Sequence, residues 1–94
     1  MSKIKVLIAD DHALVREGIT AFLKTCDDIE VVAEASDGIE AIEKANKFYP
    51  DIIIMDINMP KLGGYEATIE MKKMNPDTKI LVLTQYEDKE YISR

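Results

Sequence analysis

Short apolar runs alternate with stretches of helical periodicity along the chain. Ile4-Lys5-Val6-Leu7-Ile8-Ala9, Ile52-Ile53-Ile54-Met55 and Lys79-Ile80-Leu81-Val82-Leu83-Thr84 are short, branched-rich and bounded by charged or turn residues. That is the pattern of strands buried on both faces of a parallel sheet. Ile29-Glu30-Val31-Val32-Ala33-Glu34-Ala35 alternates only in part, which fits a strand at the sheet's edge. A first helix is predicted from His12, with Val15, Ile19, Phe22 and Leu23 inward and Arg16, Glu17 and Lys24 on other faces. Asp37 with Glu40 three residues on reads as a capping box that opens a second helix at Gly38. Ile39, Ile42, Ala45 and Tyr49 make its inward stripe, and Pro50 stops it. A third helix turns Ala67, Met71 and Met74 inward, exposes Glu66, Glu70, Lys72 and Lys73, and ends at Asn75-Pro76-Asp77. Glu87 to Arg94 opens a fourth. The five methionines read as core filler.

Strands alternating with helices predict one α/β domain over residues 1–94, a length at which a single core is adequate but not generous. A 47% hydrophobic and 32% charged composition is that of an ordinary globular chain. The net charge of −6 repels a nucleic-acid backbone, so direct DNA or RNA binding by this segment is not expected. Cys26 is the only cysteine, which rules out an intrachain disulfide or a cysteine metal cluster; it reads as a small apolar filler near the end of the first helix. No signal peptide and no run of membrane-spanning length is present, so a soluble, cytoplasmic protein is expected.

The chemistry gathers at the strands' carboxyl ends. Asp56 closes the central run, where ligands bind in open α/β sheets. Alone, an Asp there is a common turn starter or cap. The first strand, however, also ends in acid, at Asp10-Asp11. If those strands are neighbours, three carboxylates share one crevice, and like charges so close need a shared proton or a cation. Oxygen-only ligands point to a hard ion, and Mg²⁺ suits carboxylates plus water and a phosphate oxygen. His12 lies beside the cluster at a helix start, where a solvent-facing role is commoner than a ligand or proton-transfer role. Pro60, Gly63 and Gly64 read as turn chemistry, and Thr84 as a strand residue.

Taken together, Asp10-Asp11, then Asp56 followed by Met59-Pro60 and Gly63-Gly64, and then Leu81-Val82-Leu83-Thr84 resemble the receiver domain of bacterial two-component response regulators. Asp10-Asp11-His12-Ala13-Leu14-Val15-Arg16-Glu17-Gly18 further resembles the NarL/FixJ-like subfamily, whose members usually carry a C-terminal helix-turn-helix. The resemblance runs from Lys3 to the end of the chain. It implies a flavodoxin-like three-layer fold with parallel strand order 2-1-3-4, the order coming from the family and not from the pattern. It implies that Asp56 accepts a phosphoryl group from a sensor histidine kinase, with Mg²⁺ held by Asp10, Asp11, Asp56 and the Asn58 carbonyl. Thr84 would be the switch residue, and Asn58 and Tyr86 would tune phosphate lifetime. The output would be a DNA-binding transcription domain, and the protein a phosphoacceptor, not an enzyme with turnover.

In the family the domain continues through a fifth strand bearing a lysine and a fifth helix, which this chain lacks. Two expectations follow. Phosphorylation would be impaired without the lysine's charge, and the fourth strand would become an apolar edge prone to self-association by pairing or strand exchange. Other readings compete. A phosphorylation-independent interaction or dimerisation module is the main alternative. Asp56-Ile57-Asn58 faintly resembles the aspartate-nucleophile phosphatases, but there the motif ends the first strand and Gly-Thr follows. A flavin carrier would need a phosphate-cradling loop where Asp10-Asp11 stands.

Overall fold

The computed structural model describes residues 3–57, 59, 61, 64–74 and 76–83. Chain order is β1 (Ile4–Ala9), α1 (Ala13–Leu23), β2 (Ile29–Ala35), α2 (Gly38–Phe48), β3 (Ile52–Asp56), α3 (Gly64–Met74) and β4 (Lys79–Leu83). Among the described residues the strands form one parallel sheet in the order β2-β1-β3-β4, as the resemblance implied. The expected fourth helix lies outside the described residues.

Strand periodicity sorts the core. Leu7 and Ala9 of β1, Ala35 of β2, and Ile53 and Met55 of β3 join Ala41 and Ala45 of α2 and Ala67 and Met71 of α3 in one buried cluster. Val6 and Ile8, one residue out of phase, are also buried and point to the opposite face, where α1 packs on β1 and β2. β1 is thus covered on both sides, which explains its unbroken apolar run. β2 is an edge strand, as its weaker alternation predicts, and its pairing with β1 shifts register between Val6 and Leu7.

Three helix faces differ from the sequence pattern. On α1 the half-buried or buried stripe is Arg16, Ile19, Thr20 and Leu23, whereas Val15 is exposed and Phe22 is 68% exposed. Arg16 belongs to the inward stripe because its guanidinium donates to the Asp10 carbonyl at 2.6 Å and to the Glu34 carboxylate at 3.0 Å. These two bonds hold a charged residue toward the sheet where the pattern placed an outer face. On α2 the buried residues are Gly38, Ala41 and Ala45, with Ile42 half-buried; Ile39 and Tyr49 are exposed. Small side chains there let α2 sit close to both the sheet and α3. On α3, Ala67 and Met71 are buried as expected but Met74, at the last turn, is exposed. Among the methionines, Met55, Met59 and Met71 fill the core. Cys26 is half-buried in the turn after α1.

β4 also departs from a strand buried on both faces. Leu81 is 57% and Val82 43% exposed, because β4 is the sheet edge among the described residues and α3 packs instead on α2 and β3. The ladder is pinned at its amino end by Asp51, whose carboxylate accepts the Lys5 N–H at 2.9 Å while its carbonyl accepts the Lys79 N–H at 3.1 Å.

The α2 cap forms as the sequence indicates, with one variation. Asp37 accepts the Glu40 N–H at 2.8 Å, but the Glu40 carboxylate reaches the N–H and hydroxyl of Ser36, at 2.7 and 3.1 Å, one residue before the usual partner. Tyr49 closes the helix in the left-handed region at φ 48°, its N–H bonded to the Ala45 carbonyl, before Pro50. The Ser36 backbone N–H, aided by its hydroxyl and Lys44, holds the Glu40 carboxyl below its ordinary pKa against the opposing effect of partial burial.

Replacing Asp37 by Ala is expected to lower stability by about 1 kcal/mol in urea denaturation, the usual value of an N-cap bond. Glu40 titrates lower in the folded chain than in the unfolded one, so its contribution is complete above about pH 4.5 and lost as pH falls through the depressed folded value. A Glu40→Gln variant should therefore be less stable than the parent near neutrality and converge on it in acid; a difference independent of pH would contradict this.

Candidate functional site

The site is built by two neighbouring strands ending level with each other. β1 and β3 pair in register from Val6–Ile52 to Ala9–Met55, so the next residue on each strand, Asp10 and Asp56, arrives at the same carboxyl edge of the sheet. Both carboxylates are buried, at 2% and 0% exposure. Asp56 still lies within the ladder, paired with Leu83, and the Ile57 N–H to Leu83 carbonyl bond at 3.3 Å closes the sheet just beyond it. The Asp10 N–H bonds to the Ala35 carbonyl at 3.0 Å, which ties the same turn to β2.

The turn into α1 brings up the remaining members. Asp10 Oδ1 accepts the backbone N–H of His12 at 2.8 Å, an Asx-type turn that aims the following residues back over the sheet edge. The His12 Nδ1 then lies 3.2 Å from Asp10 Oδ1, 3.1 Å from Asp11 Oδ1 and 4.0 Å from Asp56 Oδ2. One ligand atom from each of Asp10, Asp11, His12 and Asp56 falls within 4.8 Å of all the others. Arg16 supports this turn from below through the Asp10 carbonyl.

The electrostatics are lopsided. Three carboxylates face one half-exposed imidazole, and two of the three are removed from water. The hydrogen bond to Asp10 raises the His12 pKa, with Asp11 adding to it and desolvation opposing. Three carboxylic groups outnumber the one imidazole, so the cluster favours a cation among them. Its donor set fits a divalent ion: carboxylate oxygens on rigid strand ends, with Asp11 open to solvent for entry.

Of the residues singled out from the sequence, the structure brings Asp10, Asp11 and Asp56 together. Asn58, Thr84 and Tyr86 lie outside the described residues. His12, for which the sequence favoured a solvent-facing role, is half-exposed yet enters the cluster through the Asx-type turn, a contact that Asp10 two residues before it signals. Arg16 was assigned to an outer face, and only its Glu34 and Asp10 partners reveal its part in supporting the turn.

Residues 6–94 match the response regulator receiver domain family. The chain is 46% identical over 92 residues to the transcriptional regulatory protein DegU of Brevibacillus brevis, covering 98% of this chain and 39% of that protein. It is 52% identical over 88 residues to the response regulator protein VraR of Staphylococcus aureus, covering 93% and 42% respectively. The chain thus spans about two-fifths of the length of these curated relatives. Among solved structures, a two-component response regulator of the LuxR family from Aurantimonas sp. superposes with a TM-score of 0.84 at 35% identity, over 90% of this chain and 61% of that one. A family match across nearly the whole chain, the shared parallel topology and the paired strand-end acids make this protein a member of the response regulator receiver domain family, of the NarL/LuxR type.

Proposed function

We propose that the chain is a phosphoryl-accepting switch in which Asp56 is the acceptor. The convergence of Asp56 with Asp10 and Asp11 at one sheet edge carries this reading. A carboxylate oxygen of Asp56 attacks the phosphorus of a phosphohistidine on a sensor kinase. The new P–O bond forms as the P–N bond breaks, and the departing imidazole keeps the electron pair and regains a proton from solvent. Asp10, Asp11 and Asp56, with the Asn58 carbonyl, would hold Mg²⁺. When bound, the ion neutralises the cluster and the charge on the phosphoryl oxygens. Thr84 reads the new charge by moving toward it, and Asn58 and Tyr86 set how readily water reaches the acyl phosphate. The chain works in the cytoplasm as a phosphoacceptor without turnover of its own. Its output, by likeness to the DegU and VraR regulators, is transcription through a DNA-binding domain, while this acidic segment does not itself bind nucleic acid.

A second reading rests on β4. Among the described residues it is an edge strand with Leu81 and Val82 exposed, a template for pairing with another chain, which favours self-association, with or without phosphorylation.

Each reading has a separate measurement. Mg²⁺ at about 100 times its dissociation constant should stabilise the parent by about 2.7 kcal/mol in denaturant titrations, and an Asp56→Asn variant far less; equal responses would remove the metal from the proposal. Incubation with Mg²⁺ and a small phosphoryl donor should add one phosphoryl mass that Asp56→Ala abolishes. No Asp56-dependent gain would overturn the acceptor role. Sedimentation at tens of micromolar should give a dimer that Leu81→Lys returns to monomer, and a monomeric parent would dispose of the edge-pairing reading.

A further inference from the structure

We infer that Lys44 is a strap that closes the β2 edge to strand addition, so that the chain does not pair with a second copy of itself along that side. Among the described residues β2 has a strand neighbour on one side only, β1. In a parallel pair, successive residues turn their backbone N–H and C=O to opposite sides of the strand. The Ala35 carbonyl turns inward, to the Asp10 N–H at 3.0 Å. Glu34 and Ser36, on either side of it, therefore turn their backbone groups outward, where another strand would attach. Both are already taken by α2. Lys44 Nζ donates to the Glu34 carbonyl at 2.6 Å, and the Ser36 N–H donates to Glu40 Oε1 at 2.7 Å. The two side chains, one turn apart on α2, meet each other at 3.3 Å. From the opposite helix layer, Arg16 holds the Glu34 carboxylate at 3.0 Å.

Lys44 also interrupts what would otherwise be one trough. Two clefts of about 270 and 260 Å³ lie along β2, one at Val31, Val32 and Ala33 and the other at Ala35 and Ser36, and Glu34 and Lys44 line both. A strand laid along β2 would have to break the bond from Lys44 to Glu34 and then expel the ammonium or bury it, and burying an unpaired charge is costly. Toward the amino end the edge has a second protection. Val31 pairs with Val6 and Ala33 with Leu7, so Val32 is an extra residue, and a bulge of this kind twists an edge away from flat pairing. The bulge bends the edge but leaves it open; the strap occupies the acceptor that a new strand would use.

The test is sedimentation at tens of micromolar, with circular dichroism as the check on folding, on a Leu81→Lys background that removes pairing through β4. Lys44→Met keeps the length and apolar stem of the side chain and loses its donor and charge, Lys44→Ala removes the stem as well, and Lys44→Arg keeps a charged donor. The background and Lys44→Arg should sediment as one copy. Lys44→Met and Lys44→Ala should sediment as two or more copies with folded spectra, and Val32→Lys added to Lys44→Met should return it to one copy by placing a charge on the pairing edge. Neutral variants that stay folded and monomeric would overturn the strap. So would association that Val32→Lys leaves unchanged, since the new contact would then lie elsewhere, and so would a background that already associates in a Val32-sensitive way.

Discussion

The parallel pairing of β1 with β3 is the constraint on which the site depends. Each strand residue advances about 3.3 Å. A slip of one residue would therefore carry Asp56 away from Asp10 by a distance comparable to the whole spacing within the cluster, and would turn Ile53 and Met55 out of the core. The register from Val6–Ile52 to Ala9–Met55 is specified twice over, by the burial of Leu7, Ile53 and Met55 and by Asp51, whose side chain and backbone bond to Lys5 of β1 and whose carbonyl accepts the Lys79 N–H of β4. Apolar packing along the strands and a polar clasp at their amino ends together place two buried carboxylates at the opposite edge.

Gathering those carboxylates stores repulsion that a fold of this size tolerates only with help. Part of the help is local: the His12 N–H bonds to Asp10 and its ring approaches all three acids. Part comes from farther away. Arg16 spans the Asp10 carbonyl and Glu34, so one cation links the site's turn to the edge strand β2. This arrangement costs α1 some apolar contact, since Val15 and Phe22 face outward. The helix is held to the sheet by a charged side chain together with Ile19, Thr20 and Leu23, and Arg16 ties the turn at Asp10 to Glu34.

The two halves of the layer structure therefore differ in character. On one face α2 and α3 pack through Ala41, Ala45, Ala67 and Met71 into a dry cluster with the strands. On the other, α1 rests on Val6 and Ile8 largely through Arg16, Ile19, Thr20 and Leu23. The dry packing lies beneath the strands that bear the acids, a suitable base for chemistry that requires fixed charge positions.

Much of this was legible in the sequence because it depends on local pattern. Element order, the α2 cap at Asp37, the edge character of β2 and the placing of Asp10, Asp11 and Asp56 at strand ends all follow from periodicity and punctuation within a few residues. The family likeness added the strand order, which no local pattern contains. Tertiary structure decided the rest. The inward face of α1 depends on Glu34, eighteen residues from Arg16, and the burial of Leu81 and Val82 depends on what lies beside β4. His12 meets Asp10 and Asp11 within its own turn, but its approach to Asp56 exists only because a parallel crossover set Asp56 next to Asp10. Hydrophobic spacing reports which residues can share a face; which face wins, and which charges meet there, is settled by partners that the chain brings together only on folding.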